Sequence, residues 1–160
     1  MAVRRPLDAS RELLEAFDHS CRVTEYLVGA LPPKLWRAEP PGGRGRTIAA
    51  IVAHIQSVRR TFAKMGGAPA LPSLDRLSST PAESCRALRQ SRDALTDLFG
   101  RALGAGNARV RGMPRRTVNM MLYLVQHDAH HRGQISMLVG ALGGRLSKDD
   151  VMRIWGWKKL

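Results

Sequence analysis

A chain of 160 residues has the length of one domain built on a single core, and a hydrophobic content of 44% excludes a disordered one. Only 5% of the residues are aromatic and β-branched residues are sparse beside alanine, leucine and arginine, so helix is favoured over sheet. The formal net charge of +13 is mostly arginine spread along the whole chain; it suits anionic partners, yet without a basic block or interleaved aromatics it reads foremost as a solvated surface, and nucleic acid is not the favoured partner.

Met1-Ala-Val-Arg-Arg-Pro6 leads straight into a charged helix with no apolar signal region. No uncharged run approaches the roughly 18–20 residues of a membrane span. Cys21 and Cys85 are far apart and match no metal or redox motif. A cytoplasmic protein in a reducing compartment, with no membrane partner, is the expectation.

The first helix is expected from Asp8 to Ala30, capped by Asp8, with Glu12 and Glu15 at its positive end. Leu13, Phe17, Val23 or Thr24, and Leu27 would face inward. Pro32-Pro33 stops it, and the loop from Lys34 to Arg46 is rich in proline and glycine, with Trp36 as its anchor. Thr47 caps a second helix reaching Met65, in which Ile51, His54 or Ile55, Val58 and Phe62 keep a three-and-four spacing. His54 then lies at the edge of the buried stripe. After a loop from Ala68 to Ser79, Thr80-Pro81-Ala82-Glu83 starts a third helix with a capping threonine, a proline at its first position and a glutamate at its third. Its buried face would hold Cys85, Leu88, Leu95 or Ala94, Leu98 and Phe99, and it frays through Gly104 and Gly106.

The fourth helix, Thr117 to Leu142, closes on Gly143-Gly144. Ser147-Lys148-Asp149-Asp150 opens a short last helix ending in Trp155-Gly156-Trp157, tryptophans expected to seal the end of the bundle or a dimer seam. No strand pattern or internal repeat is present. The fold class is therefore all-α, an up-down four-helix bundle with a short C-terminal helix, forming one domain over residues 1–160.

The chemistry concentrates in Gln126-His127-Asp128-Ala129-His130-His131-Arg132-Gly133-Gln134, which holds three of the five histidines. His127 and His131 are one helical turn apart, with Cβ atoms about 5–6 Å from each other. Both imidazoles can reach one ion at about 2.0–2.1 Å. A further ligand must come from elsewhere, and His54 is the best candidate. Leu124, His127, His131, Gln134 and Leu138 would form the inward stripe. His130 competes with His131 by spacing and is read as a supporting or solvent-facing imidazole. Gln134 could orient a ligand or a bound water. Gly133 costs about 1 kcal/mol relative to alanine within a helix, which suggests close backbone approach. Arg132 is either the cation nearest the site or a surface residue.

His127-x-x-x-His131-Arg132-Gly133-Gln134 resembles the signature of the DinB/YfiT superfamily of metal-binding four-helix bundles. Pro41-Gly-Gly-Arg-Gly-Arg-Thr47, leading into the helix of His54, is similar to the segment that carries that family's first histidine. The resemblance covers nearly the whole chain. It implies that His54, His127 and His131 coordinate one divalent ion with water in the open positions, and that the protein forms a homodimer. It further implies a thiol-dependent transferase or isomerase using a low-molecular-weight thiol, since most members of assigned activity are of that kind, although many have none. The chain departs from the family in helix one, where Phe17-Asp18-His19-Ser20-Cys21-Arg22 replaces a Tyr-Asn…Asn pattern.

Three readings follow. A three-histidine ion could activate a thiol, or a water for hydrolysis, with a small and preferably anionic molecule as substrate; zinc or nickel fits foremost, with iron and copper open. His127-Asp128-x-x-His131 alternatively reads as an aspartate variant of a zinc-peptidase helix, with Asp128 as base and Asp149 or Asp150 as a distant ligand. The last reading is a non-catalytic bundle that binds metal, nucleic acid or a partner, whose contact with DNA would be salt-sensitive and independent of the histidines.

Overall fold

The computed structural model describes residues 7–156 and Leu160. Helices α1 (Ala9–Ala30), α2 (Ile48–Met65), α3 (Pro81–Gly104), α4 (Thr117–Ala141) and α5 (Lys148–Ile154) follow in order, and no strand occurs among the described residues. Their starts are local chemistry. Asp8 and Thr47 accept hydrogen bonds from the backbone of Arg11 and Ala50, and reciprocal capping boxes open α3 (Thr80 and Glu83) and α5 (Ser147 and Asp150). The loop after α1 contains 3-10 turns at Pro33–Leu35 and Pro41–Gly43. Trp36 anchors it as expected: the ring is buried and Nε1 donates to the Ser79 carbonyl at 2.8 Å.

The four-helix bundle read from the sequence is present, with a refinement of its connectivity. One apolar cluster gathers Leu27 and Val28 with Ile48–Ile55, Leu88, Ile135 and Val139. The other gathers Phe17 and Cys21 with Ala63, Leu95–Phe99 and Met120–Leu124. Comparing residue order across the two clusters, α1 and α4 run one way and α2 and α3 the other. The segment between α2 and α3 must therefore return along the bundle, and it packs Leu71 on one cluster and Leu74 on the other. Gln56 and Arg60 of α2 hold it by donating to the carbonyls of Pro72 and Leu71, each at 3.0 Å. α5 is fastened to α1 by Tyr26, whose hydroxyl donates to Asp150 at 2.7 Å. Gly112 has φ +88, and a Cβ there would stand 2.0 Å from the Met65 carbonyl oxygen, so only glycine fits.

Between the two clusters every long helix contributes a polar side chain at the same level: Ser20 and Thr24, Gln56 and Arg59, Ser91, then Asp128 and His131, all buried. Arg59 forms an ion pair with Asp128, both about 1% exposed, and its Nη1 donates to the Leu88 carbonyl at 3.1 Å. Thr24 donates to Asp128 at 3.2 Å. Arg132 donates from Nη1 to Thr24 Oγ1 and the Ser20 carbonyl, each at 3.0 Å. Burial works against the charge of both pair members. The mutual attraction outweighs it, holding Asp128 below the usual carboxylate range and Arg59 above its ordinary value.

This layer corrects the inward faces expected for α2 and α4. In α4 the buried line is Met120, Met121, Leu124, Asp128, His131, Ile135 and Val139, with His127 and Leu138 on its flank and Gln134 exposed. In α2 it is Ile48, Ile51, Val52, Ile55, Arg59 and Ala63, so Ile51 and Ile55 face inward as expected, while Val58 and Phe62 are only partly covered. Arg132 is not a free surface group, being half-buried against α1. Gly133 has no close neighbour among the described residues, since a Cβ there would meet nothing within 4 Å. Trp155 is 74% exposed and belongs to neither apolar cluster among the described residues, while Trp157 lies outside the described residues.

Removing one member of a buried pair strands the other. Arg59→Met should lower unfolding free energy by about 3–5 kcal/mol in urea titrations, and Arg59→Met with Asp128→Leu should recover most of it. A loss below about 1 kcal/mol in the single variant would mean that the pair does not organise the core.

Candidate metal centre

His54 on α2 and His127 and His131 on α4 converge at the edge of the polar layer. Nε2 of His127 lies 3.3 Å from Nε2 of His54 and 3.2 Å from Nε2 of His131. The three ligand atoms fall within 4.8 Å of one another, and among the described residues no other group of His, Cys, Asp and Glu does so. Imidazoles bound tetrahedrally at about 2.0–2.1 Å leave their nitrogens about 3.3 Å apart. The two spacings to His127 are those of neighbouring ligands in such a geometry, and His54 and His131 lie within 4.8 Å of each other.

The proton positions implied by the network support the fit. Nδ1 of His131 is 2.7 Å from Gln134 Oε1, an acceptor, so the proton belongs on Nδ1 and Nε2 carries a lone pair. Nδ1 of His127 faces Asp128 Oδ1 at 3.7 Å, and both atoms are buried without a hydrogen-bond partner. A proton on that Nδ1 answers the carboxylate and leaves a second lone pair on Nε2. Two lone pairs at 3.2 Å repel unless a cation lies between them. A carboxylate or amide behind each ligating imidazole is the usual support of a metal site. Burial lowers the pKa of His54, with His131, Arg46 and His127 adding to the effect. Burial also lowers that of His131, partly offset by Gln134. Both rings are thus predisposed to the neutral form that a metal requires.

The other residues singled out from the sequence take definite places. His130 is exposed, with Nε2 3.0 Å from Gln134 Nε2, so it supports Gln134 and does not join the triad. Asp128 is locked against Arg59 inside the core, which removes it as a general base on the open face. Asp150 bonds Tyr26 and Asp149 pairs with Arg153 on α5, outside the triad; the peptidase reading fails on both counts. In α1, Phe17, Ser20 and Cys21 are core, and Asp18 pairs with Arg22 and Arg92. Burial pushes the Cys21 thiol up to about 12, which makes it no nucleophile at neutral pH. Tyr123 was not anticipated. One turn before His127, its ring lies 6.0 Å from that imidazole, flanked by Phe62 and by Arg115. Its spacing in the sequence was the available signal.

The family model described as the DinB superfamily matches residues 16–135. Among solved structures the chain is similar to a crystal structure described as a candidate member of the DinB family from Exiguobacterium sibiricum. The two are 17% identical with a TM-score of 0.60, over 91% of this chain and 99% of that one. At that identity the likeness is one of fold. No curated protein matches the chain.

Two outcomes follow for the triad. Gln134→Ala should weaken divalent-metal binding about 10–100-fold in equilibrium dialysis without unfolding the protein, because it frees the His131 ring while leaving all three ligands. Metal binding should hold steady down to about pH 6.5 and be lost in more acid solution. The sign follows from the lowered pKa values of His54 and His131, which keep the ligand form intact above the ordinary imidazole value and surrender it only as pH falls through them. Loss of metal between pH 8 and 7 would contradict this.

Proposed function

The chain belongs to the DinB superfamily, and on that premise we propose that it is a divalent-metal-dependent enzyme acting on a small molecule, with His54, His127 and His131 as ligands. Transfer or isomerisation dependent on a low-molecular-weight thiol is the favoured reaction class, and hydrolysis the second. The observation that carries the reading is the convergence of three imidazole nitrogens, with Nε2 of His127 3.2–3.3 Å from those of His54 and His131 and all three within 4.8 Å. Zinc or nickel fits this donor set best. When bound, the ion supplies a Lewis acid that lowers the pKa of a thiol or a water.

The chain's own residues do the rest. Gln134 fixes the tautomer and plane of His131, and Asp128 faces the inner nitrogen of His127. The edge-on ring of Phe62 sets Tyr123 beside the site, where it can exclude water on one side.

A homodimer through the outer face of α4 completes the proposal. Between Thr117 and Ala141 the only charged residues are Asp128 and Arg132, both turned toward the core. The exposed line Leu122, Gln126, Ala129, Gly133, Ser136 and Gly140 carries no charge in a chain of net +13. A second copy packed α4 against α4 covers that face without opposing like charges, and its small residues permit close approach.

Elemental analysis of protein purified without a histidine tag tests the reading. About one ion per chain is expected in the wild type and little in His131→Ala. No bound metal after incubation with zinc or nickel would overturn it, leaving a binding module whose histidines are hydrogen-bonded core.

A further inference from the structure

A cleft of about 520 Å³ lies beyond the triad toward the C-terminal end of α4, reaching it through Gln134 rather than through the three histidines, none of which lines it. It starts at Gln134, which bonds His131, and at Ile51, one turn before His54 on α2. Its apolar surface is Ile51, Met137, Leu138 and Ala141. Met137 is 78% exposed, an unusual place for a large apolar side chain next to a polar site. The opposite wall is the segment Pro40–Arg46, which contributes Arg44 and Arg46.

Among the described residues the two arginines are the only charged groups lining this cleft. Neither has a hydrogen-bond or ion-pair partner among the described residues, whereas Arg37 in the preceding loop and Arg60 on α2 are tied to backbone carbonyls. The turn that presents them is built by glycines at positive φ: Gly42 at +75, Gly43 at +67 and Gly45 at +108. Gly45, between the arginines, also lines the cleft, so any side chain there would be strained and would occupy ligand space. Thr47 then caps α2 directly, so the helix that carries His54 also fixes the position of Arg46.

We infer that this cleft holds the substrate or co-substrate of the metal centre as a small dicarboxylate-type anion, its carboxylates on Arg44 and Arg46 and its hydrocarbon portion on Ile51, Met137 and Leu138. The inference rests on the proposed function for the role of the ligand, but the anion site itself stands on the cleft. Guanidinium pairs carboxylate through two parallel N–H···O bonds. The volume is that of a small-molecule site, with an apolar lining and few polar groups. Arg44 and Arg46 are positioning residues. They set which molecule reaches the ion and in what orientation.

The test uses succinate and butyrate, which share a four-carbon chain and differ by one carboxylate. Calorimetric titration at low ionic strength, on zinc-loaded and metal-free protein, should show succinate binding at least about tenfold more tightly than butyrate. Arg44→Gln with Arg46→Gln should abolish that preference while zinc content stays unchanged. The paired control Arg109→Gln with Arg111→Gln, in the exposed loop at the other end of the bundle, should leave it intact. Succinate should also shift the NMR signal of the Met137 methyl group, assigned by Met137→Leu. Equal losses in the two double variants would show general attraction to a basic protein and overturn the inference, as would no preference in the wild type or an unmoved Met137 signal. If zinc does not bind, the proposed metal function falls, and the cleft is judged on the metal-free titrations alone.

Discussion

The buried pair of Arg59 and Asp128 is the constraint on which the rest of the structure depends. A charge in a core is tolerated only when paired and hydrogen-bonded, and this pair meets that requirement only if all four long helices stand at one level. Thr24 of α1, the Leu88 carbonyl of α3 and Arg132 of α4 each supply or receive a bond in that layer. Apolar clusters above and below can slide with modest loss. A polar layer cannot, because any shift of one helix strands a donor or an acceptor. The pair therefore sets the register of a bundle whose parallel and antiparallel contacts would otherwise be matched only by apolar volume.

The same layer sets the histidines. Asp128 turns one oxygen to Arg59 and leaves the other facing His127. With Asp128 inward, the helical step puts His127 on the flank toward α2 and His131 just inside it, where His54 meets both. The open side of the triad is then bounded by Tyr123 one turn earlier and Gln134 one turn later. Core, histidines and cleft are thus successive positions around a single helix, and the rotation of α4 that buries Asp128 orients all of them.

The division of α4 into faces also accounts for its composition. A helix with apolar residues on every side is ordinarily buried all round, yet this one has exposed glycine, alanine and methionine. One flank carries the triad and the apolar side of the cleft, and the outermost face is free of charge. A chain of net +13 that keeps one helix surface uncharged has excluded arginine from that surface, and the proposed second copy would cover it.

Much of this was legible in the sequence, because it depends on near neighbours. Helix starts follow from capping side chains that bond backbone groups three residues away, so Asp8, Thr47, Thr80 and Ser147 marked them without knowledge of the fold. The pairing of His127 with His131 follows from the pitch of one helix, and His54 was recognisable as a histidine at the edge of an apolar stripe. What the sequence could not reveal was the rotation of α2 and α4. Arg59 and Asp128 are charged, and a charged residue in mid-helix reads as solvent-facing unless its partner is known. That partner is 69 positions away. The parallel course of α2 and α3, the second support behind His127 and the meeting of Arg44 and Arg46 with Leu138 likewise join distant segments. Only tertiary packing, which makes a buried charge affordable by bringing its counter-charge to it, decided which face of each helix is the inside.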